Sequence, residues 1–156
     1  MTSAQSLPFS ELHDRLQATA TEIEARTLIA VDVSGNVIDM AGTAAEQSVP
    51  TLAALGAGNL AATHEISQLA GIEADTQSPQ TLLIEGKHGA VILVEGRQEM
   101  NFIAVLSANS LVGLARLEMR RLAAIEWIET EEAQPDRGRR PIDIATELMN
   151  NLDLDF

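Results

Sequence analysis

The sequence predicts a mixed α/β (α+β) domain with the element order α-β-β-α-β-β-β-α, followed by a C-terminal tail. Two observations carry this prediction: three stretches with helical periodicity or helix-capping signals, and five short β-rich runs separated by Gly-containing turns. The chain has 156 residues, 46% of them hydrophobic, which suits one domain with a sizeable core. Because only 3% of the residues are aromatic, Leu, Ile, Val and Ala must build that core.

A helix and a hairpin are predicted in the first third of the chain. An amphipathic helix is expected over about residues 10–25, where Ser10 can act as the N-cap. Two β-rich runs, 27–33 and 37–41, then flank a Gly-containing turn at 34–36, which is typical of a hairpin. The first run is almost entirely apolar, so we expect it to lie inside the sheet.

A second, long helix rich in Ala and Gly is predicted over about residues 50–70. Ser48 can cap it, Pro50 suits its first turn, and Gly71 suits the position just past its end. The small residues distinguish this helix from the amphipathic one before it.

Three strands and a last helix follow. The β-rich runs 80–85, 90–95 and 100–107 are separated by short Gly-containing turns and predict an antiparallel meander. A helix is expected over about 109–128, with its Leu and Ile residues on one side.

Residues 1–129 are therefore predicted to form the domain, 130–141 a linker and 142–156 an amphipathic tail. The linker has two prolines and almost no apolar residue. In the tail, apolar residues recur at spacings of three or four: Ile142, Ala145, Leu148, Met149 and Leu152. A helix this short is marginal alone, so we expect it to bind a surface, either within a dimer or on a partner. The alternative is a disordered acidic tail.

The composition excludes several classes of function. A formal net charge of -13 disfavours binding to nucleic acid or to anionic lipid, since both need clustered Lys and Arg. The absence of cysteine rules out disulfides, thiolate chemistry and zinc–thiolate sites. The N-terminal residues lack the pattern of a signal peptide, and no apolar stretch is long enough to span a bilayer. A cytoplasmic protein is expected.

The sequence contains no recognisable catalytic or cofactor-binding motif. His13, His64 and His88 are not at metal-ligand spacing, and neither a GxSxG elbow nor a phosphate loop is present. Gly56–Ala61 matches the G-x-G-x-x-A part of a dinucleotide fingerprint, but helical residues rather than a strand precede it. We therefore expect a non-enzymatic protein that needs no metal and no cofactor.

The long helix carries a strip of small residues. Gly56 and Gly58 each cost about 1 kcal/mol relative to alanine inside a helix, so both should have a structural reason. A strip without bulky side chains lets another backbone come close. We predict that it forms a dimer interface through Ala53, Ala54, Ala57, Gly58, Ala61 and Ala62. The other interpretation is tight packing of the helix on its own sheet, and we expect both to hold in part.

Three motifs in this order resemble the roadblock / dynein light-chain domain family, which is roadblock/longin-like. They are residues 32–38 in the hairpin, 52–63 in the long helix and 110–116 at the start of the last helix. The resemblance covers about residues 10–128. It is closest in type to bacterial MglB-like regulators of Ras-like small GTPases.

The resemblance implies a five-stranded antiparallel sheet with the long helix on one face and the terminal helices on the other. It also implies a dimer in which the middle strands of two subunits join and the long helices pair. A dimeric regulator or adaptor of a Ras-like GTPase, acting by protein–protein binding, is the leading functional hypothesis. The alternative is a homodimeric scaffold subunit of a larger complex with no GTPase partner. A small-molecule sensor is the weakest interpretation, because no convergent polar groups mark a pocket.

Overall fold

The computed structural model describes residues 4–43, 47–75 and 77–129. Three helices and seven strands occupy these ranges. The helices are α1 (Leu12–Glu22), α2 (Val49–Ala70) and α3 (Val112–Ala123). The strands are β1 (Ser6–Pro8), β2 (Ala25–Asp32), β3 (Val37–Gly42), β4 (Thr81–Gly86), β5 (Gly89–Glu95), β6 (Met100–Ser107) and β7 (Glu126–Ile128).

Five strands form one antiparallel sheet in the order β3-β2-β6-β5-β4. The hairpin β2–β3 and the meander β4–β5–β6 thus join where β2 pairs with β6 at the centre. This confirms the predicted fold class and element order. The strand that opens the meander, β4, lies at one edge of the sheet.

Helices cover both faces of the sheet, as predicted. In β2, Leu28 and Ala30 pack in the core beneath α1 and α3, while Ile29 and Val31 pack beneath α2. Successive side chains of a strand point to opposite faces, so an almost entirely apolar strand serves two cores. The sheet is the middle layer of a three-layer domain.

The first helix is shorter than predicted. A 3-10 turn at Phe9–Glu11 precedes α1, which begins at Leu12 rather than at Ser10. Glu24 adopts a left-handed conformation with φ 52°, which an α-helix cannot continue. The chain therefore turns there directly into β2.

The last helix also ends earlier than predicted. It stops at Ala123, and residues 126–128 form β7, which pairs in parallel with β1 in a small second sheet. Burial in this segment alternates: Ile125 and Trp127 are buried, whereas Ile128 is exposed. A period of two is typical of a strand. The prediction of a helix over the whole of 109–128 was therefore wrong at its C-terminal end.

The turn between β2 and β3 brings the hairpin close to α2. Asp32 accepts hydrogen bonds from the N–H groups of Ser34 and Asn36 and from the side chain of Asn36, at 2.9 to 3.0 Å. These bonds, led by that of the Asn36 side chain, hold the pKa of Asp32 below its ordinary value. Gly35 has φ +87°, and a Cβ atom there would lie 2.8 Å from Cα of Ala54 in α2. The turn needs glycine for its conformation and for this close approach.

Helix α2 ends as its sequence predicts. Gly71 adopts a left-handed conformation with φ 71°, and its N–H donates to the carbonyl of Gln68 at 3.2 Å. The N–H of Ile72 donates to the carbonyl of Ser67 at 3.0 Å. Both bonds satisfy carbonyls that the last helical turn would leave unpaired.

Candidate interaction surface

The small residues of α2 divide into an inward and an outward row. Ala53 and Ala57 are buried on the sheet of their own chain, together with Gly56. The other four residues of the predicted interface are exposed: Ala54, Gly58, Ala61 and Ala62. Only the outward row is accessible to a second molecule, and its role as a dimer interface stays a prediction.

The two central glycines of α2 have different structural settings. A Cβ atom at Gly56 would overlap Cδ1 of Ile103 and crowd Leu93, so glycine lets the helix lie close to the sheet. A Cβ atom at Gly58 would meet nothing within 4 Å. Packing inside the chain therefore explains Gly56, whereas nothing inside the described part of the chain requires a glycine at position 58.

Large apolar residues extend the outward row into a stripe. Leu55 is 62% exposed, Ile66 64% and Leu69 88%. With Gly58 and Ala62 they recur at spacings of three or four residues, which places them along one side of the helix. We call this set the α2 stripe: Leu55, Gly58, Ala62, Ile66 and Leu69. Sequence reasoning missed its three large members, although their spacing was visible.

The edge strand β4 lies beside α2. It pairs with β5 in continuous register from Thr81 to Gly86, and no described strand pairs with its other edge. Leu83 is 37% exposed and Ile84 is 47% exposed. At the opposite edge of the sheet, the register of β3 shifts near Ala30, and α1 packs against β3. No described strand pairs with the outer edge of β3 either, so both β3 and β4 are edge strands, and β4 is the one whose register is regular throughout.

The three histidines lie apart from one another and do not form a common site. Nδ1 of His13 lies 3.0 Å from the carboxylate of Asp39, and Nδ1 of His64 lies 3.9 Å from that of Glu95. His88 is exposed in the turn between β4 and β5. Across 4–43, 47–75 and 77–129, no three His, Cys, Asp or Glu side chains are grouped as a metal site would require.

The dinucleotide-like motif lies wholly inside α2. Residues 56–61 are helical, and the helix extends seven residues before them. The fingerprint works as a turn between a strand and a helix, whose free N–H groups face the phosphates. In mid-helix those N–H groups bond to the preceding turn instead.

An open groove lies where β7 leaves the domain. It has a volume of about 480 Å³, and its lining residues include Phe9, Ile38, Gln98 and Trp127. Among the described residues, Glu129 is the only charged one that lines it. We call it the Phe9 groove. The predicted tail residues Ile142, Ala145, Leu148, Met149 and Leu152, like the linker 130–141, lie outside the described residues.

No helix among the described residues has both the length and the apolarity needed to cross a bilayer. This result applies to α2 as well, although it is the longest and most apolar of the three helices.

Several solved structures share this architecture. MglB from Myxococcus xanthus matches with a TM-score of 0.66 and 21% identity, over 74% of this chain and 90% of that one. The gliding protein MglB from Thermus thermophilus matches with a TM-score of 0.62 and 26% identity, over 70% and 81%. The Roadblock/LC7 domain from Streptomyces avermitilis matches with 0.63 and 13%, over 72% and 91%.

The sequence by itself matches no protein-family profile and no curated protein. The predicted resemblance is nevertheless confirmed at the level of structure, in the element order, the five-stranded antiparallel sheet and the placement of the three helices on it. The chain has the roadblock/longin-like fold and resembles MglB.

Proposed function

We propose that this protein is a non-enzymatic, dimeric regulator or adaptor of a Ras-like small GTPase. One observation carries the proposal: on a fold that resembles MglB, the α2 stripe is exposed and β4 is an edge strand that no other described strand pairs on its outer side. A second copy of the chain is the occupant that we assign to the two surfaces.

Burial of the α2 stripe supplies a driving force for this dimer. Three large apolar side chains of the stripe are mostly exposed to water: Leu55, Ile66 and Leu69. Burying one such side chain contributes about 1.5–3 kcal/mol. In a two-fold dimer each residue counts twice, because both copies present the same patch.

The small residues of the stripe set how closely two helices can approach. Gly58 and Ala62 lie between the larger side chains and leave room for those of a second helix. Close approach increases the number of van der Waals contacts along the pair. The stripe thus has two small residues next to three large ones, and the small ones leave room for the large side chains of a second copy.

Charge also favours α2 as the self-association surface. The chain carries a formal net charge of -13, so most faces of two copies repel each other. Among the 22 residues of α2, Glu65 is the only acidic one, and there is no Lys or Arg. Two copies can therefore meet along α2 with little electrostatic cost.

The GTPase partner is inferred from the resemblance to MglB-like proteins. We infer that regulation acts by recruiting or positioning the GTPase.

A nucleotide-dependent pull-down tests this proposal. The full chain is immobilised and exposed to lysate of its source cells with either GDP or a non-hydrolysable GTP analogue. We expect an identified Ras-like GTPase to be recovered several-fold better with one nucleotide than with the other. Ala62→Glu in the α2 stripe should reduce recovery, whereas the matched variant Ala18→Glu on the exposed side of α1 should not.

A scaffold subunit without a GTPase partner is the second candidate. It is favoured by a structure of MglB in a tetrameric arrangement, which is 26% identical to this chain and matches it with a TM-score of 0.62. Equal recovery of the same proteins with both nucleotides, and no Ras-like GTPase among them, would reject the first function in favour of this one.

A further inference from the structure

A row of polar side chains crosses one end of the sheet. Asn101 in β6 pairs with Glu95 in β5, and the Glu95 N–H donates to the carbonyl of Gln80, just before β4, at 2.9 Å. Ile103 and Leu93, each two residues away on the same strands, pack in the core beneath α2. Side chains two apart on a strand share a face, so Asn101 and Glu95 lie on the α2 side as well. We call Gln80, Glu95 and Asn101 the polar row.

The C-terminal half of α2 lies over the polar row. Nε2 of Gln80 donates to Oγ of Ser67, which is buried in α2, at 2.7 Å. Nδ1 of His64, one turn earlier in α2, lies 3.9 Å from the Glu95 carboxylate, which is too far for a hydrogen bond. Gln80 and Glu95 therefore contact the helix from the sheet, and only Gln80 forms a hydrogen bond with it.

Two amide oxygens of the polar row have no hydrogen-bond donor. Oε1 of Gln80 and Oδ1 of Asn101 are both buried, and neither accepts a hydrogen bond from the described part of the chain. Asn101 as a whole is only 5% exposed. The Glu95 carboxylate lies between these two residues in the row. Burying a polar group without a partner is unfavourable, so this end of the sheet favours a molecule that brings donors to it.

A cleft separate from the Phe9 groove opens onto the polar row. It has a volume of about 250 Å³, and both Gln80 and Glu95 line it. Its other lining residues that can carry a charge are His64, Asp75 and Arg97. The Arg97 guanidinium lies 3.8 Å from the carboxylate of Glu126, outside the cleft, which offsets its positive charge. The carboxylates of Asp75 and Glu95 thus give the cleft a negative potential, as the net charge of -13 gives the whole chain.

A primary ammonium group has the chemistry that matches this cleft. It carries one positive charge and three N–H donors and has no acceptor. Hydrogen bonds from an ammonium group to a carboxylate are stronger than those between neutral groups. A divalent metal ion fits less well, because it needs several oxygen ligands around one point. The described residues contain no group of three His, Cys, Asp or Glu side chains that could hold one. The size of the cleft restricts the ligand to a small organic molecule.

We propose that this cleft binds a small organic molecule through a primary ammonium group, which donates to the Glu95 carboxylate and to Oε1 of Gln80. Asn101 supplies a third acceptor beside Glu95. A ligand held in this way connects the ends of β4 and β5 beneath α2. None of the residues of the α2 stripe lines the cleft, so the site does not depend on the proposed dimer or on a GTPase partner.

Titration of the isotope-enriched full chain with n-butylamine at pH 7 and constant ionic strength tests the proposal by NMR. We expect saturable shifts of the amides near Gln80 and at 95–97, with a dissociation constant on the order of 1 mM. Tetramethylammonium has the same charge but no N–H donor, and it should bind at least about tenfold more weakly. Equal binding of the two cations, shifts centred elsewhere, or no saturation by n-butylamine would overturn the proposal.

Variants of matched charge provide a second test. Glu95→Gln removes the carboxylate charge with little change of shape and should weaken n-butylamine binding about tenfold or more. Glu85→Gln makes the same change at the exposed far end of β4 and should leave the dissociation constant unchanged. Gln80→Glu replaces the unpaired amide oxygen with a carboxylate and should tighten binding. Equal effects of Glu95→Gln and Glu85→Gln, or weaker binding by a folded Gln80→Glu variant, would show that the assigned residues do not hold the ligand.

Discussion

The side-chain amide of Gln98 pairs with both backbone polar groups of Trp127. Nε2 donates to the Trp127 carbonyl at 2.6 Å, and Oε1 accepts the Trp127 N–H at 2.6 Å. Gln98 thus makes the two hydrogen bonds to β7 that the backbone of a neighbouring strand would otherwise make. It does so from a left-handed backbone with φ 58°, followed by Glu99 with φ 59°, a conformation that costs a non-glycine residue about 1–2 kcal/mol.

The first prediction concerns this clamp. Gln98→Ala leaves the N–H and carbonyl of Trp127 without their partners, so we expect the free energy of unfolding to fall by about 1–3 kcal/mol. Trp127 is the only tryptophan, and its fluorescence during urea denaturation reports on the clamp directly. Glu99→Gly is the control, because it relieves the same backbone conformation without removing these bonds. It should be neutral or stabilising, and an equal loss in both variants would argue against the clamp.

The second prediction separates the two central glycines of α2. Gly56→Ala places a methyl group against Ile103 and Leu93 in a packed core, and we expect about 1–2 kcal/mol of destabilisation. Gly58→Ala has open space and improves helix propensity by up to about 1 kcal/mol. Chemical denaturation of both variants in an Ala62→Glu background, which removes the proposed dimer contact, measures the difference within one chain. Similar losses at the two positions would contradict the inward and outward assignment.

The third prediction concerns the dimer. Ala62→Glu introduces a charge into the α2 stripe of both copies, so we expect the dimer to dissociate into folded monomers at micromolar concentration. Ala18→Glu makes the same change on the exposed side of α1 and should leave the mass unchanged. Light scattering coupled to size exclusion gives the mass of each variant. If the unaltered chain is a monomer at high micromolar concentration, the proposed dimer is wrong.

The fourth prediction is a pH dependence at Asp32. Because the pKa of Asp32 is lowered in the folded chain, its carboxylate stabilises the fold fully above the unfolded pKa of about 3.8. This stabilisation is lost as the pH falls through the folded pKa. Asp32→Asn should therefore lower the Tm more at pH 6 than at pH 2.5. Asn36→Ala removes the leading donor and should reproduce much of the loss at pH 6.

The fifth prediction concerns the contact between the hairpin and α2. Gly35→Ala strains a residue at φ +87° and brings its Cβ atom to 2.8 Å from Cα of Ala54, so we expect a loss of about 2 kcal/mol or more. The clash involves backbone, so Ala54→Gly in the same chain should not rescue it. Gly113→Ala, where a Cβ atom has open space, is the control. Denaturation curves for the three variants give the comparison.

The sheet and the order of the helices were predictable because their patterns are local. The apolar run at 27–33 and the Gly-containing turn at 34–36 specify the hairpin without reference to distant residues. The orientation of α2 was not predictable from its small residues. In α2 the polar residues are spread around the helix, so no single polar face indicates which row turns inward. Large residues such as Leu60, which is buried, and Leu69, which is exposed, decide it only through the tertiary packing.

The small sheet of β1 and β7 was missed for a different reason. Each strand has three residues, too few for a period of two to be distinguished from helical spacing, and Pro8 weakens the signal further. The stability of β7 depends on Gln98, which lies 29 positions away from Trp127 along the chain. A contact between residues so far apart cannot be predicted from the local sequence. The exposed stripe on α2, in contrast, could have been predicted from the helical spacing of Leu55, Ile66 and Leu69.

The parallel pairing of β1 with β7 also determines how the domain bears mechanical load. When residue 5 and residue 129 are pulled in opposite directions, the two parallel strands slide along each other instead of peeling apart. The backbone bonds between them, such as that from the Glu126 N–H to the Gln5 carbonyl at 2.9 Å, are then loaded together in shear. Tension arriving through the segment after Glu129 is thus shared between β1 and the Gln98 clamp before it reaches the five-stranded sheet.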